Sequence, residues 1–184
     1  MTGAHMPPNP NDGLTFNADK LRTLYLAGGC FWGTDAYMRR VPGVAHTLSG
    51  YAQGHVAGPS YEAVCTGTTG HAEAVRVDYD PERLPLRKLL LRFFDIIDPT
   101  VKNRQGHDSG SQYRTGVYYT DPADLPDIES VFTEVAARYD APIVTERESF
   151  TCFYPAEDYH QDYLEKNPGG YCHVDLSGLY QGEL

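Results

Sequence analysis

Apolar and polar positions along the chain fall into short blocks of two periods. "TLYLAGG" (23–29) is an apolar run closed by glycines and reads as a short strand. "FWGTDAYMRRV" (31–41) follows as a helix, stopped by Pro42-Gly43. "VAHTLSGYA" (44–52) reads as a strand. "HAEAVRVDYD" (71–80) shows period-two apolarity at Ala72, Ala74, Val75 and Val77, with a slip between the pairs, and Pro81 ends it. "PLRKLLLRFFDIID" (85–98) is apolar on most faces and predicts a buried helix. "SQYRTGVYYT" (111–120) is β-branched and aromatic, hence a strand. An amphipathic helix is expected over 122–139, a strand over 141–148, and a helix over 155–168 with proline at its start. A glycine-containing tail follows from Gly169.

Strands and helices alternate irregularly. That pattern predicts an α+β fold with helices on one face of a sheet rather than a regular βαβ array. The stretch "DPTVKNRQGHDSG" (98–110) has no apolar pattern, and loops of this length in a compact domain are functional or disordered. The 184 residues fit one domain over 21–184, preceded by a tail over 1–20. Within that tail "GAHM" reads as a cloning remnant, so residues 1–13 are set aside from the fold reasoning.

The formal net charge of −10 argues against a nucleic-acid partner. No apolar run approaches the ~18 residues of a membrane span, and no basic-then-apolar leader opens the chain. A cytoplasmic protein is expected. Of the four cysteines, Cys30, Cys65, Cys152 and Cys172, no two form a CxxC. They are expected to be buried, catalytic or redox-active.

Four stretches carry candidate chemistry. In "GGCFWG" (28–33), Cys30 stands at a strand-to-helix turn, where backbone N–H groups favour a thiolate, and Gly28 and Gly29 are expected to leave its approach open. The plainer alternative is a buried small residue. Phe31 and Trp32 are either core or a small apolar pocket beside the thiol. In "GTTGHAEAV" (67–75), a buried Glu73 would have a raised pKa and suit a general acid; the alternative is a solvated carboxylate. "NRQGHDSGSQYR" (103–114) offers His107, Asp108 and Tyr113, unless it is an ordinary surface loop. Cys172, in "NPGGYCHV", lies in a flexible segment from which a thiol can reach another cysteine; the alternative is an idle surface thiol.

These stretches, with "FYPAEDYHQDYLEKNPGGYC", occur in an order and spacing that resembles the A-type peptide methionine sulfoxide reductases over about residues 21–174. The resemblance implies a ferredoxin-like α/β sandwich, with a mixed or antiparallel sheet, long active-site loops and a mobile C-terminal segment over about 167–184. It implies that Cys30 attacks the sulfoxide sulfur, that Phe31 and Trp32 hold the S-methyl group, and that Glu73 protonates the oxygen. Tyr61 and Tyr113 would hydrogen-bond that oxygen, and Asp108 would orient the substrate backbone. Cys172 would resolve the Cys30 sulfenic acid as a disulfide, reduced in turn by thioredoxin or dithiothreitol. No metal or organic cofactor is implied. The S epimer of oxidised methionine, free or in proteins, would be the substrate, and the protein is expected to be a monomer. Cys65 fits a position outside the reaction, Cys152 matches no family position, and His160 is expected to pack or hydrogen-bond near the site.

Three other readings compete. A thiol hydrolase would need a histidine beside Cys30. A metal-binding or interaction module would need clustered Cys and His ligands. A silent homologue would lack part of the set Cys30, Tyr61, Glu73 and Tyr113.

Overall fold

In the computed structural model, which describes residues 6–180, strand β1 (Arg22–Gly28) ends at the glycine pair and α1 (Phe31–Met38) begins just beyond Cys30. The chain continues through β2 (Val44–Ala52), α2 (Tyr61–Cys65), β3 (Ala72–Tyr79) and α3 (Leu86–Phe94). A small hairpin of β4 (Arg104–Gln105) and β5 (Asp108–Ser109) leads to β6 (Thr115–Tyr119) and α4 (Leu125–Ala136). Then come β7 (Glu146–Ser149), β8 (Phe153–Pro155) and α5 (Tyr163–Lys166). Six strands form one mixed sheet in the order β7-β6-β1-β3-β2-β8, antiparallel throughout except for the β6–β7 pair. This is the expected α+β architecture.

Side chains alternate across a strand, so the sheet has two differently covered faces. Leu24, Leu26, Val75, Val77 and Val117 join the buried sides of α1, α3 and α4 in the main core. Tyr25, Ala27, Ala72, Ala74 and Tyr118 form a second, thinner layer closed by Phe150 and Phe153. Tyr25 stacks flat on Phe150, with ring centroids 4.2 Å apart. The slip in the β3 pattern follows from this arrangement. Its alanines serve the thin layer, its valines serve the helices, and Glu73 lies between the alanines on the helix side.

The structure departs from the pattern in places, each with a local cause. The predicted helix over 155–168 is instead the end of β8, one 3-10 turn (Asp158–His160) and the short α5. Asp162 adopts a left-handed conformation (φ 54°), while the Gln161 amide reaches away to the backbone N–H and C=O of Ser49. The strand expected at 141–148 forms at 146–149, and residues 111–113 make a 3-10 turn ahead of β6. Helix α3 is buried on one side only: Lys88 is exposed, and Arg87 and Arg92 are half-buried. The loop over 98–110 is anchored by the buried Gln105, whose side chain bonds the backbone N–H and C=O of Asp98, each at 2.9 Å.

The N-terminal segment, set aside on composition, docks from Pro7, whose carbonyl accepts from Arg40 Nε at 2.7 Å. The Asn11 side chain donates to the carbonyls of Arg39 (3.0 Å) and Val41 (2.9 Å) and accepts from the Gly43 N–H (2.9 Å). It thereby satisfies the end of α1 and the turn into β2. Asn11→Ala would leave the Arg39 carbonyl and the Gly43 N–H without these partners, while the Val41 carbonyl keeps the Val44 N–H, and should cost about 1–3 kcal/mol of unfolding free energy in urea titration. An unchanged midpoint would show that the segment adds nothing to the fold.

Candidate active site

Cys30 occupies the residue before the first turn of α1 and is 7% exposed. Gly29 takes a left-handed φ of +84°, which turns the chain from strand to helix. The glycines do not open a path to the sulfur, as the sequence reading had it. A Cβ on Gly29 would stand 2.7 Å from Gln105 Cβ and 3.0 Å from His173 Nε2, and one on Gly28 would stand 2.9 Å from Thr34 Oγ1. Their bareness lets other segments pack against the turn. The expected lowering of the thiol pKa is also corrected. Burial pushes the Cys30 thiol up, and a Glu73 carboxylate would push it further, against the downward pull of the Trp32 N–H at the helix start. The thiol rests in its protonated form.

Glu73 reaches that same helix start from β3. Its Oε1 accepts a hydrogen bond from the Phe31 N–H at 3.2 Å, and the residue is 1% exposed. Burial raises its pKa to about 8, opposed by the Phe31 N–H and assisted by the charge of Asp108. At neutral pH Glu73 therefore holds a proton, and its push on Cys30 is largely relieved.

Cys30, Phe31, Trp32, Tyr61, Glu73, Asp108, Tyr113, His160 and Tyr171 line one cavity of about 70 Å³. This is small against the roughly 300–1,000 Å³ of ordinary ligand pockets, so it admits a compact polar headgroup. Tyr61 opens α2, which Ser60 caps by accepting the Ala63 N–H at 3.1 Å. Tyr113 ends the 3-10 turn that Arg114 ties down, donating to the carbonyls of Ser111 (2.9 Å) and Gly70 (2.8 Å). Burial raises the pKa of both phenols, so they stand as neutral donors. Asp108 comes from the small hairpin, and its Oδ2 is buried without a hydrogen-bond partner among the described residues.

Glu157, Tyr163 and Tyr171 were not singled out in the sequence, whereas Trp32 and His160 were. Trp32 stacks on Tyr163 with centroids 3.6 Å apart, and its Nε1–H donates to His160 Nδ1 at 3.1 Å. That bond leaves His160 with its proton on Nε2, while burial lowers the ring's pKa. Glu157 accepts from the Tyr51 hydroxyl (2.9 Å) and the Tyr61 N–H (3.1 Å), joining β2 to the start of α2. Tyr171 adds a wall from the C-terminal segment. Tyr163 and Glu157 come, with the expected His160, from "PAEDYHQDY"; its density of aromatic and acidic residues was the available signal for the first two, masked by the helix reading.

Cys172 is half-buried, its Sγ 3.2 Å from the point where a Gly33 Cβ would stand. It lies near enough to Cys30 for its charge to act on that thiol. The other candidates lie elsewhere. Cys65 is exposed, and Cys152 donates to the Gly54 carbonyl beside β8. His71 is a satisfied buried histidine between Gly54 N–H and Val56 C=O, and His107 is exposed. Among the described residues no three His, Cys, Asp or Glu side chains form a metal-binding group. Among the described residues no histidine is hydrogen-bonded to Cys30, as the hydrolase reading needs: Trp32 occupies His160 Nδ1, and His173 Nε2 faces the Gly28 carbonyl.

The sequence model for the family "Peptide methionine sulfoxide reductase" matches residues 22–182. A protein of Clostridium botulinum (strain Okra), named peptide methionine sulfoxide reductase MsrA, is 54% identical over 156 residues, covering 85% of this chain and 99% of its own. The crystal structure of reduced Mxr1 from Saccharomyces cerevisiae superposes with a TM-score of 0.82 at 37% identity, covering 90% of this chain and 97% of that one. Mxr1 in complex with Trx2 aligns with a TM-score of 0.58 at 26% identity, over 83% and 91% of the two chains.

A carboxyl whose pKa rises from 4.5 to about 8 on folding binds more protons folded than unfolded between those values. Stability is therefore fully present below pH 4.5 and is lost as pH rises through 8. Glu73→Gln removes this loss. Its melting temperature should exceed that of the parent at pH 8.5 and fall less between pH 5 and 8.5; parallel curves for the two proteins would contradict the protonated state of Glu73.

Proposed function

The chain belongs to the peptide methionine sulfoxide reductase family, and from that membership we propose a residue-level course for its reaction. The protein is an oxidoreductase that reduces methionine sulfoxide with thiols. The single observation that carries the residue assignment is geometric: Glu73, bonded to the helix start and buried so that its pKa is raised, shares one small cavity with Cys30, Tyr61 and Tyr113.

A sulfoxide oxygen is a poor leaving group until it is protonated. Glu73 gives it a proton while the hydroxyls of Tyr61 and Tyr113 donate to it, which makes the sulfur electrophilic. The S-methyl group rests on Phe31 and Trp32, and Asp108 orients the substrate backbone. Cys30 Sγ attacks the sulfur, and its own proton passes to the Glu73 carboxylate. The hydroxyl passes from the substrate sulfur to Cys30 Sγ as the S–O and S–S bonds of the adduct to that sulfur break, releasing methionine and leaving Cys30 as a sulfenic acid. Cys172 condenses with it to give a Cys30–Cys172 disulfide and water. A thioredoxin then returns both thiols, a step supported by the complex of the yeast relative with Trx2. Every electron comes from sulfur, so the sequence needs neither metal nor organic cofactor.

The chain from residue 21 acts as one catalytic domain whose segment from about 167 moves during resolution; residues 181–184 of the expected domain lie outside the described residues. The four free cysteines suit a reducing compartment, in keeping with work in the cytoplasm as a monomer. Substrates are the S epimer of oxidised methionine, free and in proteins.

The test is a peptide carrying methionine sulfoxide, resolved into its two sulfur epimers and incubated with dithiothreitol. The S epimer alone should be reduced, Cys30→Ser should abolish the reaction, and Glu73→Gln should slow it roughly 10²–10⁴-fold. Reduction by folded Cys30→Ser, or equal use of both epimers, would overturn the assignment.

A further inference from the structure

His173, next to Cys172, lays its ring over the strand-to-helix turn. Its Nε2 lies 2.9 Å from the Gly28 carbonyl oxygen. A carbonyl only accepts, so Nε2 carries the proton and Nδ1 presents a lone pair. That Nδ1 is buried and has no hydrogen-bond partner among the described residues. Both Nδ1 and Cys172 Sγ stand 3.2 Å from the point where a Gly33 Cβ would be, so basic nitrogen and thiol share one glycine face. Gly29 and Gly106 shape the rest of the cradle: Cβ atoms there would stand 3.0 Å from His173 Nε2 and 3.1 Å from His173 Cβ.

We propose that His173 is the general base of the resolving step, taking the Cys172 proton on Nδ1 as Cys172 Sγ attacks the sulfenic acid on Cys30. The proposal rests on the reading of Cys30 as nucleophile and Cys172 as its resolving partner. Nucleophile, base and a carbonyl that orients the base form the arrangement that activates weak nucleophiles elsewhere. The step balances within the protein. The Cys172 S–H bond and the Cys30 S–O bond break, and the S–S bond forms. The Cys172 proton, carried by His173, leaves with the hydroxyl as water. Cys172 sulfur is oxidised as the Cys30 sulfur is reduced.

The surroundings make a base necessary and keep one available. In this structure Cys172 Sγ donates to the Val174 carbonyl at 3.3 Å, and burial holds the thiol above its ordinary pKa, so few molecules carry a free thiolate. Burial keeps His173 neutral, and the Asp108 carboxylate from the hairpin favours the imidazolium that forms when it takes the proton. Rotation about the Cys172 Cβ–Sγ bond would turn the S–H away from Val174 while the sulfur keeps its place beside Gly33.

The test uses the full chain in a single turnover without external thiol. A methionine sulfoxide peptide is mixed with the protein, and samples are quenched over time with an alkylating agent. Mass spectrometry then reads methionine release and the Cys30–Cys172 disulfide in the same sample. His173→Gln keeps an N–H for the Gly28 carbonyl but is no base. It should slow disulfide formation roughly 10²-fold relative to methionine release. Free imidazole should partly restore the rate in His173→Ala. A His173→Gln protein that closes the disulfide at the parent rate would reduce His173 to a latch and overturn the proposal, as would proportional slowing of both steps. A parent protein that releases methionine without forming the Cys30–Cys172 disulfide would instead overturn the role of Cys172, and the base with it.

Discussion

The contact between the Glu73 carboxyl and the Phe31 N–H organises the rest of the site. It joins the central strand β3 to the positive end of α1 at 3.2 Å, in a place almost closed to water. An ionised carboxylate would gain from that helix start, yet the loss of solvent outweighs the gain and the group keeps its proton to about pH 8. The same burial bears on Cys30. Burial disfavours the charge of both acids in this dry corner, and a Glu73 carboxylate would push the Cys30 thiol up further. That is the condition under which a proton donor and a nucleophile can coexist at neutral pH.

The remainder of the structure supplies walls for this corner. Tyr61 and Tyr113 arrive from a short helix and a 3-10 turn, each fixed by backbone capping rather than by contact with one another. Trp32 is sandwiched by Tyr163 on one side and held at its nitrogen by His160, so its position is set before any substrate arrives. The C-terminal segment completes the enclosure with Tyr171 and brings Cys172 and His173 onto Gly33. Glycines at 28, 29, 33 and 106 are what allow strand turn, hairpin and tail to meet so closely. Substrate pocket and resolving thiol are thus parts of one packed unit.

Much of this was legible in the chain. The apolar blocks located β1, β2, β3, α3 and α4 because each buries a strand face or helix stripe in the main core. The GGCFWG stretch announced its turn, since left-handed Gly29 is the only economical way into α1. Elements held by side-chain hydrogen bonds were harder to see. Gln105 orders the 98–110 loop through the Asp98 backbone, and Gln161 breaks a helical pattern by reaching to Ser49. Asn11 recruits a segment whose composition reads as a tail. Hydropathy carries no trace of such bonds. The direction of the Cys30 shift was hidden for a related reason: a helix start is visible in sequence, whereas the burial that opposes it depends on what packs over the turn.

The measurement closest to the central claim is the titration of the Glu73 side-chain carboxyl by ¹³C NMR in protein labelled at glutamate. Glu73→Gln would identify the resonance. The account predicts that this carboxyl titrates near pH 8. A Glu73 that titrates near 4.5 with the fold intact would contradict it, because the site would then hold a carboxylate at neutral pH and have no acid to give the sulfoxide oxygen its proton.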